Sequence, residues 1–196
     1  IPAARRIAGR LAAMGVAVLR FDFTGLGHSQ GEFANTTFSS NIADLIAAAQ
    51  YLAARNMAPD LLIGHSLGGA AVLRARAGLP SVKGVVSLGA PFDPGHVSHN
   101  FDAALPEIQA TGRAQVSLGG RPFVIGKAFV EDIQAENLAE AIRDLQAALL
   151  VMHAPRDATV SIDNAAEIFL AAKHPKSFVT LDDADHLISR AEDAEY

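Results

Sequence analysis

Residues 64–68 of this chain read Gly-His-Ser-Leu-Gly and carry its most specific chemical signal. A short apolar run, Leu61-Leu62-Ile63, precedes them and predicts a strand, and an Ala-rich stretch follows and predicts a helix. In such a strand–turn–helix unit the central serine sits in a strained turn near the positive end of the helix, and the surrounding glycines let neighbouring backbone pass closely. We therefore predict Ser66 as a nucleophile, with the Leu67 N–H directed at a developing oxyanion. The alternative is a glycine-rich turn with an incidental serine, which the flanking strand and helix disfavour.

A serine hydroxyl is a weak nucleophile at neutral pH, so a histidine base and a carboxylate must accompany it. For this motif the chain order is serine, then Asp or Glu, then histidine, with the last two in loops after later strands. Asp157 follows a predicted strand at 147–152, and His186 follows a predicted strand at 177–181. Because the carboxyl ends of parallel strands share one edge of a sheet, we expect Ser66, Asp157 and His186 to converge there.

Other histidines and carboxylates compete for these roles. His153 ends a predicted strand, where its side chain would point inward, and we expect it to support the site rather than act as the base. Three aspartates are too close to His186 in sequence to reach its far ring nitrogen, and we expect them to be solvated: Asp182, Asp183 and Asp185. For His28, His65 and His174, the sequence indicates no nucleophile and carboxylate that would make any of them the catalytic base. His65 could line the pocket, although packing of the turn is favoured.

Two further patterns are weaker signals of ligand binding. The glycine-rich segment 25–31 only partly resembles a dinucleotide-binding loop, because Gln30 takes the third glycine position and no helix opens there; a structural turn is favoured. Four residues recur at intervals of three and could present metal ligands on one helix face: Asp93, His96, His99 and Asp102. A solvated polar face is favoured there, since metal sites need more than spacing. We expect neither a metal nor an organic cofactor.

Composition restricts the classes of protein to which the chain can belong. Its 196 residues predict one domain, or one plus a small appendage, and the 50% hydrophobic and 19% charged residues suit a substantial core. A formal net charge of −5 argues against broad binding to nucleic acids or anionic membranes. The absence of cysteine excludes disulfides, thiolate nucleophiles and Cys-based zinc sites. No apolar run is long enough for an export signal or a membrane span, and we predict a cytoplasmic location.

Strands and helices alternate along most of the chain, which predicts an α/β fold, a mainly parallel sheet with helices on both faces. Predicted strands span 16–23 (buried), 61–63, 82–88, 147–152 and 177–181, and predicted helices span about 7–14, 42–53 (with caps at 39–41), 69–78 and 163–172. Between about 93 and 144 the alternation stops, and we expect two helices and a hairpin that turns at Gly119-Gly120. We predict that this insertion is a cap, in whose core or pocket lie Phe92, Phe101, Phe123 and Phe129.

The motif residues together resemble the α/β-hydrolase family, on the segment 64–69, Asp157 and the pair Asp185-His186. Four segments more narrowly resemble the hydrolase domain that is fused to an OsmC-type peroxidase domain in bacteria: 19–27, 33–41, 153–157 and 174–178. The resemblance implies an α/β-hydrolase fold with Ser66 as nucleophile, Asp157 as acid and His186 as base. It also implies a small-molecule ester as substrate and a C-terminal OsmC-type domain in the full-length protein, whose reactive cysteines would lie outside this chain.

Two departures from that family affect the expectation for this chain. In the family several strands precede the first helix, and the loop after one of them supplies a second oxyanion N–H. The family also has a further helix after the histidine loop. Since this sequence begins at the helix and stops at Tyr196, we expect residues 1–196 to form a partial hydrolase domain that lacks the N-terminal strands. Such a fragment would be much less active than its parent, because losing one oxyanion donor costs about 10²–10³ in kcat.

The function that these residues predict is hydrolysis of carboxylic esters through an acyl-enzyme on Ser66. Thioesterase, lactonase, amidase and peptidase chemistry use the same residues, so those substrate classes stay open. A second hypothesis is a non-catalytic hydrolase-like module that binds a fused domain or a partner. A third is a nucleotide-binding domain built on the loop at 25–31.

Overall fold

The computed structural model describes residues 2–118 and 121–196. Their α-helices are α1 (Pro2–Ala13), α2 (Phe38–Ala53), α3 (Leu67–Ala75), α4 (Leu105–Thr111), α5 (Lys127–Ala135), α6 (Leu138–Arg143), α7 (Asp163–Ala171) and α8 (Ala191–Glu195). Their strands are β1 (Leu61–His65), β2 (Gly84–Leu88), β3 (Arg113–Leu118), β4 (Arg121–Gly126), β5 (Ala148–His153) and β6 (Lys176–Thr180). Shorter 3₁₀ helices span Phe33–Asn35, Arg76–Gly78 and Pro94–Ala104. None of the described helices combines the length and hydropathy needed to cross a membrane.

A parallel sheet with the strand order β1-β2-β5-β6 forms the frame of the molecule. Its register aligns the carboxyl ends of the strands, because Leu88 of β2 lies opposite both His65 and Met152, and His153 lies opposite Thr180. The loops that follow these strands therefore leave the sheet at the same edge. The predicted parallel arrangement of the strands near 61, 82, 147 and 177 is confirmed.

Apolar side chains cover both faces of this sheet, as the alternating sequence predicts. On one face Val85 and Val151 pack into the larger core, to which α2, α3 and α7 contribute. On the other face Val86 contacts a smaller cluster that includes Ala3 of α1 and Ala194 of α8. Removal of these groups from water, at about 25 cal/mol per Å² of apolar area, favours the layered packing.

The segment 16–23 does not form the buried strand that its β-branched and aromatic residues predict. It has no regular secondary structure, and residues 16–22 are all exposed. Among the described strands, β1 pairs only with β2, along one of its two sides. None of these strands pairs with residues 16–23. The prediction is wrong because strand propensity describes how side chains fit a sheet, whereas a strand also needs a neighbour for its backbone N–H and C=O groups.

Helix α2 begins slightly earlier than the cap range 39–41 predicts. Its N-cap is Thr37, whose hydroxyl accepts a hydrogen bond from the Ser40 N–H, while the Ser40 hydroxyl accepts one from the Thr37 N–H. This reciprocal capping box satisfies two backbone donors at once, which explains why the helix starts after Thr37 rather than two to four residues later.

Residues 93–144 lie between β2 and β5 and contain the predicted hairpin, since β3 and β4 pair antiparallel. Its predicted turn, Gly119-Gly120, lies outside the described residues. The insertion holds more helix than the two segments predicted, namely α4, α5, α6 and the 3₁₀ helix Pro94–Ala104. Helices of 6 to 9 residues, such as α4, α5 and α6, present too few apolar positions to reveal a helical period in the sequence.

Candidate active site

Ser66 lies in the sharp turn between β1 and α3. Its backbone has φ 54° and ψ −127°, a region that residues with a side chain seldom adopt. Its N–H donates to the Leu88 carbonyl at 2.8 Å, and its own carbonyl accepts from the Gly69 N–H at 2.8 Å. The turn is thus tied to the sheet on one side and to the first turn of α3 on the other. The strand–turn–helix unit predicted around this serine is confirmed.

The glycines near Ser66 differ in whether a side chain would fit at their positions. A Cβ on Gly64 would lie 2.2 Å from the Gly68 carbonyl oxygen, and a Cβ on Gly69 would lie 2.7 Å from the Cβ of Ala90. Neither position admits a side chain without moving its neighbours. Apart from its chain neighbours and the α3 backbone, a Cβ on Gly68 would meet no described atom within 4 Å, so the prediction that this glycine also permits close backbone approach is wrong. Gly68 instead leaves open space at the start of α3.

Three loops bring Ser66, Asp157 and His186 into one hydrogen-bonded chain at the carboxyl edge of the sheet. Ser66 Oγ lies 3.0 Å from His186 Nε2, and His186 Nδ1 lies 2.7 Å from Asp157 Oδ2. The side chain of Asp157 is 1% exposed and that of His186 is 10% exposed, so bulk water hardly competes for these bonds. The three side chains leave the ends of β1, β5 and β6, the strands after which the sequence predicts them.

The carboxylate of Asp157 is held on both of its oxygens. Oδ1 accepts hydrogen bonds from the N–H groups of Thr159, at 2.8 Å, and Val160, at 2.9 Å, while Oδ2 faces His186. Burial acts to raise the pKa of Asp157, but the hydrogen bonds from His186, Val160 and Thr159 outweigh it and leave that pKa below its ordinary value. The carboxyl group is therefore ionised at neutral pH, where it can only accept hydrogen bonds.

The ionised carboxylate fixes where the proton lies on the imidazole of His186. Since Asp157 Oδ2 can only accept, Nδ1 of His186 must carry the proton and donate it. Nε2 then presents a lone pair, which accepts the hydroxyl proton of Ser66. This arrangement has the geometry that removal of a proton from the serine hydroxyl requires.

Leu67 is the first residue of α3, so its backbone N–H has no intrahelical carbonyl to which it can donate. The start of a helix is also the positive end of its dipole. A backbone donor of this kind, one residue after Ser66, has the position that the motif predicts for an oxyanion donor.

His153 lies behind the carboxylate and is fully buried, with 0% exposure. Its Nε2 donates to the Val160 carbonyl at 2.9 Å and lies 3.7 Å from Asp157 Oδ2, whereas its Nδ1 is buried without a partner among the described residues. Because Val160 also donates to Asp157, His153 supports the loop that holds the carboxylate. This agrees with the supporting position that the sequence predicts for it.

His65 has a contact that the sequence does not predict. Its Nε2 lies 2.5 Å from the main-chain carbonyl oxygen of His186, and the centroids of the two rings are 5.0 Å apart. Burial, the largest effect, lowers the pKa of His65. The only signal for this contact in the sequence is the position of His65 next to Ser66.

The loop aspartates near His186 take no part in its hydrogen-bonded chain. Asp182, Asp183 and Asp185 are exposed, and Asp185 accepts a hydrogen bond from the Ser189 N–H at 2.8 Å. This bond, the largest effect, lowers the pKa of Asp185. The prediction that these three residues are solvated is confirmed, and Asp185 also stabilises the turn.

The two weaker ligand-binding patterns form local contacts of their own. In the loop at 25–31 the Gly25 N–H donates to the Gln30 carbonyl, and the preceding Thr24 N–H donates to Asp44, as expected of a structural turn. Two exposed pairs form in the insertion, His96 with Asp93 and His99 with Asp102. Over residues 2–118 and 121–196, no group of three or more His, Asp or Glu side chains is arranged to hold a metal ion.

One cleft of the described structure lies away from Ser66. Its volume is about 580 Å³, and residues at the amino ends of β2, β5 and β6 line it, among them Lys83, Ala148 and Pro175. A five-residue strand spans about 16 Å, so this cleft is at the far end of the sheet. The gap among His65, Asp157 and His186 is only about 10 Å³, the lower limit for one water molecule.

Comparison with known proteins assigns this chain to a family. The family described as serine aminopeptidase, S33, matches residues 3–119, which is more than half of the chain. No match is found among curated proteins. Among solved structures, the esterase domain of a Rhodothermus marinus protein is 48% identical; the match covers 98% of this chain and 75% of that one, with a TM-score of 0.79.

Two more distant structures share the fold. Mouse alpha/beta hydrolase domain-containing protein 10 is 21% identical over 98% of this chain and 78% of its own, with a TM-score of 0.78. Est1E from Butyrivibrio proteoclasticus, solved with ferulic acid bound, is 20% identical over 98% of this chain and 80% of its own, with a TM-score of 0.76. On the family match and the 48% identity to an esterase domain, the chain belongs to the α/β-hydrolase family.

Proposed function

We propose that this protein hydrolyses carboxylic esters through an acyl-enzyme formed on Ser66. The observation that carries the proposal is the continuous chain of hydrogen bonds from Ser66 Oγ through His186 to the buried carboxylate of Asp157. The 48% identity to an esterase domain supports ester bonds as the substrate class. The mechanism needs no metal or organic cofactor.

In the acylation step Ser66 Oγ attacks the ester carbonyl while His186 Nε2 takes the hydroxyl proton. The carbonyl oxygen becomes an oxyanion, to which the Leu67 N–H donates. When the tetrahedral intermediate collapses, His186 returns its proton to the leaving alcohol, and the acyl group stays on Ser66. Asp157 keeps the imidazole in the required tautomer and stabilises its charged form.

Deacylation repeats these steps with water in place of serine. His186 Nε2 removes a proton from water, the hydroxide attacks the acyl carbonyl, and Ser66 leaves with the proton that His186 held. A carboxylic acid is released, and the enzyme returns to the protonation state described above.

Residues 93–144 serve, in this proposal, as a cap that selects the substrate. Contacts with the segment before β1 support their attachment to the body of the protein: the Phe33 ring packs at a tilt against Phe123 and Phe129, and Ser39 donates hydrogen bonds to Asp132. Phe129 is buried in the main core, which favours a packing role over contact with substrate.

Hydrolysis of amides is the second candidate activity, because the matching family is described as serine aminopeptidase. A serine hydrolase that cleaves esters and one that cleaves peptides use the same three residues. Thioesterase chemistry stays an open alternative. The resemblance to a domain fused with an OsmC-type partner stays a prediction, as does a cytoplasmic location.

The test compares the chain with its Ser66→Ala variant on p-nitrophenyl esters of increasing acyl length, on matched p-nitroanilides, and with a fluorophosphonate probe. Hydrolysis of the esters and labelling of the wild-type protein, both absent from the variant, would support the proposal. Faster release from the anilides would favour a peptidase. A folded wild-type protein that is neither labelled nor active would contradict the proposal.

A further inference from the structure

His65 connects the turn that carries Ser66 with the loop that carries His186. It is the last residue of β1, where its backbone pairs with Leu88 in the sheet. From this fixed position its Nε2 reaches the main-chain carbonyl oxygen of His186 at 2.5 Å, although the two residues are 121 apart in sequence.

The direction of this hydrogen bond follows from the groups involved. A carbonyl oxygen can only accept, so Nε2 of His65 must carry the proton and donate it. The two imidazole rings lie 5.0 Å apart at an angle of 46°, so His65 also packs against the ring of His186. Contact at both the main chain and the ring restricts translation and rotation of the His186 side chain.

Other hydrogen bonds shape the loop on either side of His186. The Leu181 N–H donates to the His153 carbonyl where the loop begins, the Ala184 N–H donates to the Leu181 carbonyl, and the Ile188 N–H donates to the Asp185 carbonyl in the turn that contains His186. The bond from His65 acts at His186 itself, the residue whose position determines both the contact with Ser66 and the contact with Asp157.

We propose that His65 is a positioning residue, whose Nε2–H holds the main-chain carbonyl of His186 and so keeps the His186 imidazole aligned between Ser66 and Asp157. This role rests on the proposed function. It assigns a function to His65 as the second residue of the Gly-His-Ser-Leu-Gly segment. Displacement of the base by even 1 Å is expected to slow proton transfer strongly.

Three variants of the full chain test this role. His65→Leu removes the donor, His65→Gln places an amide N–H at the same distance along the side chain, and His174→Leu is a matched control at the opposite end of the sheet. We expect His65→Leu to lower kcat on the best p-nitrophenyl ester by about 10- to 100-fold with little change in KM, and His65→Gln to recover most of that loss. His174→Leu should leave both constants unchanged.

A second readout needs no substrate. In ¹⁵N-histidine-labelled protein the Nδ1 proton of His186, bound to Asp157, should give a far-downfield NMR signal that His65→Leu broadens or removes and His65→Gln retains. A purely structural role would alter thermal stability but leave this signal, the kcat of the folded protein and its pH profile unchanged. If His65→Leu does not fold, His65→Asn takes its place as the donor-free variant, because the shorter asparagine side chain cannot reach the main-chain carbonyl of His186.

Two results would overturn the role of His65: equal kcat in the folded donor-free variant and the wild type, or equal losses with leucine and glutamine. Failure of the proposed function has a different signature. In that case the wild-type protein would react with neither esters nor the fluorophosphonate probe, while the NMR comparison would still report whether His65 positions His186.

Discussion

Ser66 Oγ and His186 Nε2 lie 3.0 Å apart although 120 residues separate them in sequence. Ser66 follows β1 and His186 follows β6, the two outer strands of the sheet. With β2 and β5 between them and about 4.8 Å per strand spacing, those strands are about 14 Å apart. The contact therefore requires the loop after β6 to extend back across the ends of the central strands, and His65 meets it there.

Replacement of Ser66 should separate catalysis from stability. We expect Ser66→Ala to lower kcat by at least about 10⁴-fold, since a nucleophile cannot be replaced by its neighbours. Ser66→Gly should be equally inactive but more stable than Ser66→Ala by about 1 kcal/mol, because glycine adopts a φ of 54° without strain. Urea unfolding of the two variants measures the difference. Equal stabilities would mean that the turn stores no strain at this residue.

The Asp157→Asn variant tests the negative charge of the carboxylate, because asparagine keeps nearly the same size and shape. An asparagine amide can donate to Nδ1 of His186, which would favour the tautomer with its proton on Nε2, the wrong nitrogen for accepting a proton from Ser66. We expect kcat at neutral pH to fall by about 10⁴-fold with the fold retained. Activity within ten-fold of wild type would show that Asp157 does not orient the base.

The buried position of His65 predicts a pH dependence of stability. Its pKa in the folded protein is below the ordinary value of 6.5, chiefly because of burial. The hydrogen bond to the His186 carbonyl raises this pKa, as does the charge of Asp157, but burial and the smaller repulsion from the His186 imidazole outweigh them. As pH falls below 6.5, the unfolded chain binds a proton at this residue before the folded protein does, so the stabilising contribution is full above 6.5 and is lost toward the folded pKa.

We expect the free energy of unfolding of the wild-type protein to fall more between about pH 7.5 and pH 5 than that of His65→Gln, which has no titrating group at this position. Urea denaturation at several pH values measures this difference, with His174→Gln as the control for loss of an exposed histidine. Parallel pH profiles for wild type and His65→Gln would contradict the expectation.

The two glycines that flank Ser66 should respond differently to the same substitution. Gly64→Ala should destabilise the protein by about 3 kcal/mol or prevent folding, because its Cβ would meet the Gly68 carbonyl at 2.2 Å. Gly68→Ala should fold normally and gain up to about 1 kcal/mol, since it lies in the first turn of α3 with open space around it. Thermal melts measure the stability of both variants. Similar losses of stability in the two would contradict the difference between the surroundings of Gly64 and Gly68.

The local parts of the site could be predicted from the sequence because each has a local signal. Ser66 has its motif, and Asp157 and His186 each follow an apolar run that ends in a polar loop. Parallel topology then brings these loop ends together without further information. The geometry agrees with that reasoning to the level of hydrogen bonds.

Features that depend on distant residues could not be predicted in this way. The bond from His65 to His186 joins positions far apart in the chain and has no periodicity or motif. The segment 16–23 has every local property of a strand, yet strand formation depends on a partner that only the whole sheet can supply. The role of Gly68 similarly depends on which atoms surround it.

The placement of Ser66 and His186 after the two outer strands also determines how the protein should lose activity. Among the described residues each of these two strands pairs on one side only, and both expose apolar residues, Ile63 on β1 and Phe178 on β6. Such edges open locally at a lower free energy than the central strands. Mild heat should therefore separate nucleophile from base while most of the sheet persists, so that inactivation is reversible and precedes the loss of circular dichroism.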